Sequence, residues 1–366
     1  MRKIHYIWKV VRPIHLRAMR FFGPSVFEGG PPAGYFNEVD AIDKGLVKGG
    51  YAMSGCSLGF NADSEVIQAN LGQDAHHEWP VIWSHRTDTL LIGPSMVHVD
   101  TEGKACKEAM YGLHAWTDPV WKRHRRRAPI ALSGPCTSIT SRWNHGDNYF
   151  HWFLDGLTRL YHLDRFPSNT CIITPEHLPE FALRSIELLG LSKKIIPTRD
   201  CDLLLEDYWF AGPTMLSGCP DMTGVQWIRK KFLPIIRPPA QDFIYIDRGQ
   251  RRRTCENSSA LANWFRDRGW MVLDPAELSL DQQIETFSKA KAVAGIHGAG
   301  LTNLLWMPSG GKVLEIMPSK RRNGCYAGIA ACIGLSHRAW ILPSDRLGKL
   351  NVPIAELPKW ITWMES

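Results

Sequence analysis

Residues 296–311 read IHGAGLTNLLWMPSGG. A histidine and two glycines, the glycines separated only by Ala299, follow the apolar run AVAGI (292–296) and precede the apolar stretch LTNLLWM. A buried strand that ends in small residues and feeds a helix leaves backbone N–H groups at the positive end of a helix dipole, a ready site for phosphate. The plainer reading is that small residues let helix and strand pack closely.

The surrounding residues place this loop in a repeated pattern. FIYI at 243–246 has the length and composition of a buried strand. Asn257 or Ser258 then caps a helix with Leu261, Trp264 and Phe265 on one face, stopped at Gly269. WMVL at 270–273 is the next strand, and Ser279 with Gln282 forms a capping box for a helix through Ile284 and Phe287. AVAGI, the glycine loop with its short helix, and KVLEIM at 312–317 complete the series. Strands alternating with helices at this spacing predict a parallel sheet with right-handed crossovers, a Rossmann-like unit. Ligands of such sheets bind at the carboxyl ends of the strands, where this loop falls. It is not the dinucleotide fingerprint, because Asn303 stands at the third glycine position, and it lacks the lysine of a P-loop.

The 366 residues, 44% apolar and 22% charged, are those of an ordinary globular chain with room for two domains. Nine cysteines without a CxxC argue against a zinc ribbon or a disulfide framework. The formal charge of +7 concentrates in the first twenty residues, in WKRHRRR at 121–127 and in RGQRRR at 248–253. Such runs form solvated loops or meet an anionic membrane, a nucleotide or nucleic acid. Trp8, Phe21 and Phe22 among the N-terminal basic residues favour a membrane surface, although Pro13 would kink any helix there. No apolar window is long enough to span a bilayer, and the start does not read as a signal peptide.

Upstream, residues 144–159 read NHGDNYFHWFLDGLTR. His151, Asp155 and Arg159 recur every four residues, so on a helix a carboxylate lies one turn from a histidine and one turn from a guanidinium. This is either an Asp155–Arg159 pair on a helix face or a carboxylate, paired with His151, poised as a general base.

NYFHWFLD, then YIDRGQRRRTCENSSAL, then GIHGAGLTNLLWMPSGGKVLEIMP together resemble glycosyltransferase family 61, over roughly residues 130–318. That family includes plant xylan-decorating enzymes, transferases of the secretory pathway and bacterial capsule or lipopolysaccharide enzymes. The resemblance implies an α/β fold of the GT-B type, two Rossmann-like domains facing a cleft. It also implies inverting transfer from a nucleoside-diphosphate sugar, a UDP-sugar foremost, without a metal cofactor. Placed on this chain, Gly298, Ala299 and Gly300 let the backbone approach the diphosphate, and N–H groups near Leu301 and Thr302 donate to it. Arg248 or Arg253 neutralises the phosphates, while His297, Asn303 and Asn257 add contacts. Glu315 accepts from ribose hydroxyls or merely orders the loop. Asp155 takes the proton of the acceptor hydroxyl, with His151 as positioning partner or rival base, and Asn148 and Tyr149 lie on the acceptor side. Ser258 departs from the family pattern, standing where an acidic residue is expected.

The expected division is an acceptor-side α/β domain over 1–237, a nucleotide-binding domain over 238–345, and a tail over 346–366 that returns to the first domain or packs on its own. The pair Asp200 and Asp202 reads as a turn rather than a cation site. The resemblance and the basic N-terminus imply a bacterial enzyme of surface-polysaccharide synthesis at the cytoplasmic face of the membrane, acting on a glycan or lipid-linked glycan. Two other classes remain: a nucleotide-binding module without catalysis, and a nucleic-acid protein resting on the basic runs alone.

Overall fold

The computed structural model describes residues 34–57, 76–93, 96–100, 103–110, 129–141, 143–144, 147–199, 201–215, 218–233, 239–248, 255–320 and 322–366. The basic N-terminal segment with Trp8, Phe21 and Phe22, the run 121–127, Asp200 and Arg253 lie outside the described residues. The chain is a mixed α/β protein with two sheets.

The first sheet has nine strands: β1 (Gly34–Phe36), β2 (Lys48–Ser57), β3 (His76–Ile92), β4 (Val97–Val99), β5 (Lys104–Cys106), β6 (Ile130–Ser138), β7 (Cys171–Pro175), β8 (Ile195–Thr198) and β9 (Leu203–Ala211). Their order is β1-β5-β4-β3-β9-β6-β7-β8, with β2 paired to β3. The run β9-β6-β7-β8 is parallel, whereas β3 pairs antiparallel with β2, β4 and β9. The sheet therefore departs from a purely parallel Rossmann layer: a parallel run is extended on one side by the antiparallel pairings of β2, β3, β4 and β5, with β1 added parallel to β5. Among the described residues the α-helices of this half are α1 (Glu38–Asp43), α2 (Tyr149–His151), α3 (Glu180–Leu188) and α4 (Met222–Phe232).

The second half alternates as the sequence predicts: β10 (Asp242–Ile246), α5 (Ser258–Asp267), β11 (Met271–Leu273), α6 (Leu280–Ser288), β12 (Ala290–Ile296), β13 (Lys312–Pro318), α7 (Cys325–Ile333), β14 (Ser336–Leu342) and the terminal α8 (Leu357–Glu365). All five strands are parallel, in the order β11-β10-β12-β13-β14. Strand β12 is buried on both faces, as a central parallel strand must be. The capping box of α6 forms as expected, with Ser279 Oγ accepting from Gln282 N–H at 3.3 Å and Gln282 Oε1 accepting from Ser279 N–H at 2.9 Å. Gly334 closes α7 in the left-handed region, φ 78°, where a side chain is strained.

One continuous apolar core joins the halves, running from Ile139, Trp152 and Phe153 through Val225 and Ile228 to Phe287, Leu304, Trp306 and Ile329. A separate core lies beneath β11–β14, and α8 belongs to it: Leu357, Ile361 and Met364 pack with Leu314 and Trp340. The tail thus stays on its own sheet rather than returning to the first half. Polar anchors hold it there, with Lys312 Nζ donating to the Trp363 carbonyl at 2.9 Å and Trp270 Nε1 donating to Glu365 Oε1 at 3.0 Å.

Candidate functional site

In the order β11-β10-β12-β13-β14 the chain direction of travel reverses between β10 and β12. In a doubly wound sheet the crevice beyond the carboxyl ends of such strands is where ligands bind. Here Arg248 follows β10 and the glycine loop follows β12, and Arg248 Nη1 donates to the His297 carbonyl at 2.7 Å. A Cβ on Gly298 would run into the Arg248 guanidinium, so glycine at 298 is what lets that cation lie against the loop. A Cβ on Gly300 would press to 3.1 Å of Ile246 Cγ2. Both glycines therefore serve close packing.

A cleft of about 540 Å³ opens here. Asp147, Asn148 and Tyr149 of the first half bound one side, and Arg248, Asp274, Gln283, Gly300 and Asn303 of the second half bound the other.

The run after Gly298 is a 3-10 helix, Ala299–Trp306, rather than an α-helix starting at Leu301. The Leu301 N–H is used within the turn, donating to the Gly298 carbonyl at 2.9 Å, and Leu301, Thr302 and Asn303 are fully buried. Leu301 and Thr302 lie beneath the loop, outside the lining of the cleft, and Asn303 forms part of its inner wall. Arg229 of α4 closes the far end of the helix, its Nη1 donating to the carbonyls of Leu305 at 2.5 Å and Met307 at 2.8 Å. A cation at the negative end of a helix is favourably placed.

His297 and Glu315 meet behind the loop. Glu315 is completely buried and accepts from His297 Nδ1 at 2.5 Å and from His337 Nε2 at 2.9 Å. Burial pushes its pKa up, but the hydrogen bonds and charges of His297 and His337 outweigh this and hold it below the ordinary value. Glu315 thus orders the loop and is not exposed to a ribose. Asn257 is likewise occupied: its Nδ2 donates to the Val352 carbonyl at 2.8 Å and its Oδ1 accepts from Val352 N–H at 3.0 Å. It sits at the helix N-cap position, but its side chain makes no capping bond, because it clamps the segment that leads to α8.

On the other wall the helix predicted around His151 changes pitch twice. α2 passes into a π-helical turn, Trp152–Gly156, and then a 3-10 helix, Leu157–Arg165. Asn148 caps the start, its Oδ1 accepting from the N–H of Phe150 at 3.0 Å and of His151 at 3.4 Å. The four-residue spacing survives the π turn: His151 Nδ1 lies 2.5 Å from Asp155 Oδ2. The side chain of Asp155 is 0% exposed and that of His151 is 23% exposed, stacked on the exposed Trp143 at 5.9 Å between ring centroids. An ionised carboxylate only accepts, so the proton of the neutral ring sits on Nδ1 and the lone pair on Nε2. Asp155 is thus shut off from solvent, whereas part of the His151 ring is open to it. Arg159 donates from Nε to the Asp155 carbonyl at 3.0 Å and from Nη1 to the Ala211 carbonyl at 3.4 Å.

Tyr149 lines the cleft with little exposed surface. It is 9% exposed, and its hydroxyl donates to Asn303 Oδ1 at 3.2 Å. Asn303 in turn donates to Gln283 Oε1 at 2.9 Å, and Trp306 Nε1 donates to Asn303 Oδ1 at 3.0 Å. Sequence reasoning missed Gln283, Trp306, Trp143, His337 and Arg229. Only Gln283 carried a signal, a polar residue between Leu280 and Ile284 on the apolar face of α6.

Among the described residues, groups of the kind that bind metals come together elsewhere, at Glu38 of α1, His98 of β4 and Cys106 of β5. Arg86 already holds the Glu38 carboxylate through Nε at 2.9 Å and Nη2 at 2.9 Å, and Ser84 donates to it as well. Burial raises the pKa of Glu38, but His98 and Arg86 bring it down to about 2, so a saturated ion pair occupies the place of a cation. Asp202 of the Asp200/Asp202 pair accepts from Gly93 N–H at 3.1 Å, a structural contact. Cys106, Cys136, Cys171, Cys201, Cys219, Cys255, Cys325 and Cys332 are free thiols. Among the described residues no helix is long and apolar enough to cross a membrane.

Residues 149–314 match the family model described as Glycosyltransferase 61, an interval that contains His151, Asp155 and the whole glycine loop. No curated protein matches the chain.

Proposed function

We propose, with glycosyltransferase family 61 supported as the family of this chain, that it is an inverting transferase of GT-B type moving a sugar from a nucleoside-diphosphate donor to a hydroxyl of a glycan or glycolipid. A UDP-sugar is the expected donor. One observation carries the reading: Arg248, Ala299 and Gly300 at the strand-order reversal of one half, and the turn Asp147–Tyr149 that leads directly into the hydrogen-bonded His151–Asp155 pair of the other half, line one cleft.

The donor diphosphate lies over Gly298–Gly300, with the Arg248 guanidinium beside it. His151 Nε2 accepts the proton of the acceptor hydroxyl as its oxygen attacks the anomeric carbon opposite the diphosphate. Asp155 keeps Nδ1 protonated, holds the ring and stabilises the imidazolium that forms, the part an orienting carboxylate plays behind a catalytic histidine. As the bond from anomeric carbon to phosphate oxygen breaks, negative charge collects on the departing diphosphate, and Arg248 neutralises it in place of a metal. Trp143, stacked on His151, offers an apolar face beside the base for an acceptor sugar ring.

The test pairs binding with turnover. UDP, GDP, CDP and CMP are titrated against the protein, and nucleotide release is followed with the corresponding sugar donors, with and without EDTA. His151→Gln is expected to lower turnover by about 10²–10⁴-fold with nucleotide affinity kept. Asp155→Asn is expected to cost about 10²-fold or more by releasing the wrong tautomer. Normal turnover in His151→Gln would remove the base assignment, and nucleotide binding without any release would leave a binding module.

A further inference from the structure

The inner wall of the cleft is a closed chain of hydrogen bonds that crosses from one half of the protein to the other. Tyr149 donates to Asn303 Oδ1 at 3.2 Å, and Trp306 Nε1 donates both to Asn303 Oδ1 at 3.0 Å and to the Tyr149 hydroxyl at 3.3 Å. Asn303 Nδ2 donates to Gln283 Oε1 at 2.9 Å and to the Gly300 carbonyl at 3.1 Å. Gln283 Nε2 donates to the Leu278 carbonyl at 3.1 Å. Asn303 and Trp306 are fully buried, and Gln283 is nearly so.

The polarity of this chain has a single solution. An indole N–H can only donate, so Trp306 fixes the Asn303 oxygen towards itself and Tyr149. The Asn303 amide nitrogen then points at Gln283 and Gly300, which fixes the Gln283 oxygen inward and its nitrogen towards Leu278. Burial raises the pKa of the Tyr149 phenol, so it remains a donor. Reversing either amide sets donor against donor, and in a buried network that costs far more than one surface bond. The wall has no slack.

Its two ends are the two reacting sides. Tyr149 lies two residues before His151 on the turn capped by Asn148, and Asn303 lies on the 3-10 helix that begins with the glycine loop. A general base acts only within about 3 Å of the proton it takes, and a misplacement of about 1 Å costs on the order of 10²-fold. We infer that Tyr149 and Asn303 are positioning residues: their bond sets the distance between His151 and the donor loop, so it governs turnover and leaves donor affinity alone. This inference rests on the functional reading above.

The decisive protein is Tyr149→Phe, which removes one hydroxyl and keeps the ring packed on Phe153 and Phe181. Two readouts are taken. The first is kcat and donor KM with whichever of UDP-glucose, UDP-galactose and UDP-N-acetylglucosamine the wild type turns over. The second needs no ligand: in protein labelled with 15N-histidine, the Nδ1 proton of His151 bonded to Asp155 is followed, assigned by its loss in His151→Gln, with the His297–Glu315 proton as internal reference. Tyr149→Phe is expected to lower kcat about 10- to 100-fold, to keep donor KM within about twofold, and to broaden or shift the His151 signal while the His297 signal stays. Should that variant not fold, Gln283→Met breaks the same chain from its far end and is expected to give the same pattern. An unchanged His151 signal, or a lowered melting temperature with kcat intact, overturns the inference. If the wild type binds no nucleoside diphosphate, the functional reading falls, and the histidine signal still decides whether the wall positions His151.

Discussion

Glu315 is the residue whose environment most changes its reading. Its place at strand β13 suggested a ribose contact, yet it faces two histidines and no solvent. The glycine string revealed a loop, but His337 comes from β14, a strand with no clear mark in the sequence, so the partner that fixes Glu315 was not legible. His162 is the opposite case, a buried ring with no hydrogen bond on either nitrogen. Burial, then the charge of Arg165, pushes its pKa from 6.5 to about 3. The unfolded chain therefore binds a proton that the folded chain refuses. Stability is full above pH 6.5 and is lost as the pH falls from there towards about 3, with a slope of about 1.4 kcal/mol per pH unit. His162→Phe is expected to flatten this acid limb in urea unfolding measured from pH 7 to pH 4, without loss of stability at pH 7. A second residue-scale outcome follows from Gly298: Gly298→Ala displaces the Arg248 guanidinium. It is expected to weaken nucleoside-diphosphate binding roughly tenfold, about the net worth of one charge-assisted contact, in calorimetric titration.

Among elements, the alternating strands and helices of residues 242–317 could be read because period and capping agree there, and the Ser279–Gln282 box formed as written. The helix around His151 was legible in spacing and not in pitch. Gly156, the last residue of the π turn, packs against the Asn144 amide, which a Cβ there would strike and which donates to the Ile139 carbonyl at 3.1 Å; a tertiary approach of this kind carries no periodic signal. The π turn carries Asp155 and follows directly on His151, in keeping with the frequency of such turns at functional sites. Asn257 shows the limit of a motif: the residue type fits a cap, but a segment 95 residues later claims both ends of its amide. Asn257→Ala is expected to cost about 1–3 kcal/mol in urea unfolding, because two backbone groups of Val352 lose their partner. Nucleotide affinity should be unchanged; a selective loss of binding would return Asn257 to the donor site.

At the scale of the molecule the two sheets do not stand on independent foundations. Trp152, Phe153 and Ile228 from the first half and Phe287, Leu304 and Trp306 from the second share one core, and the Tyr149–Asn303–Gln283 chain crosses the same boundary. Removing either half would leave these large apolar faces in water, at about 25 cal/mol for each square ångström exposed, so neither half keeps its stability when the other unfolds. A cleft between freely hinged domains would behave differently, each domain melting alone. Calorimetry is therefore expected to show a single transition, with its van't Hoff and calorimetric enthalpies equal. A saturating nucleoside diphosphate should move that whole transition upward, since ligand binding to the folded state alone stabilises every part coupled to it. Two resolved transitions, with only one responding to nucleotide, would mean that the shared core does not couple the halves. In that case the wall of the cleft could not hold His151 in place, because the ground on which it stands would move independently of the loop it serves.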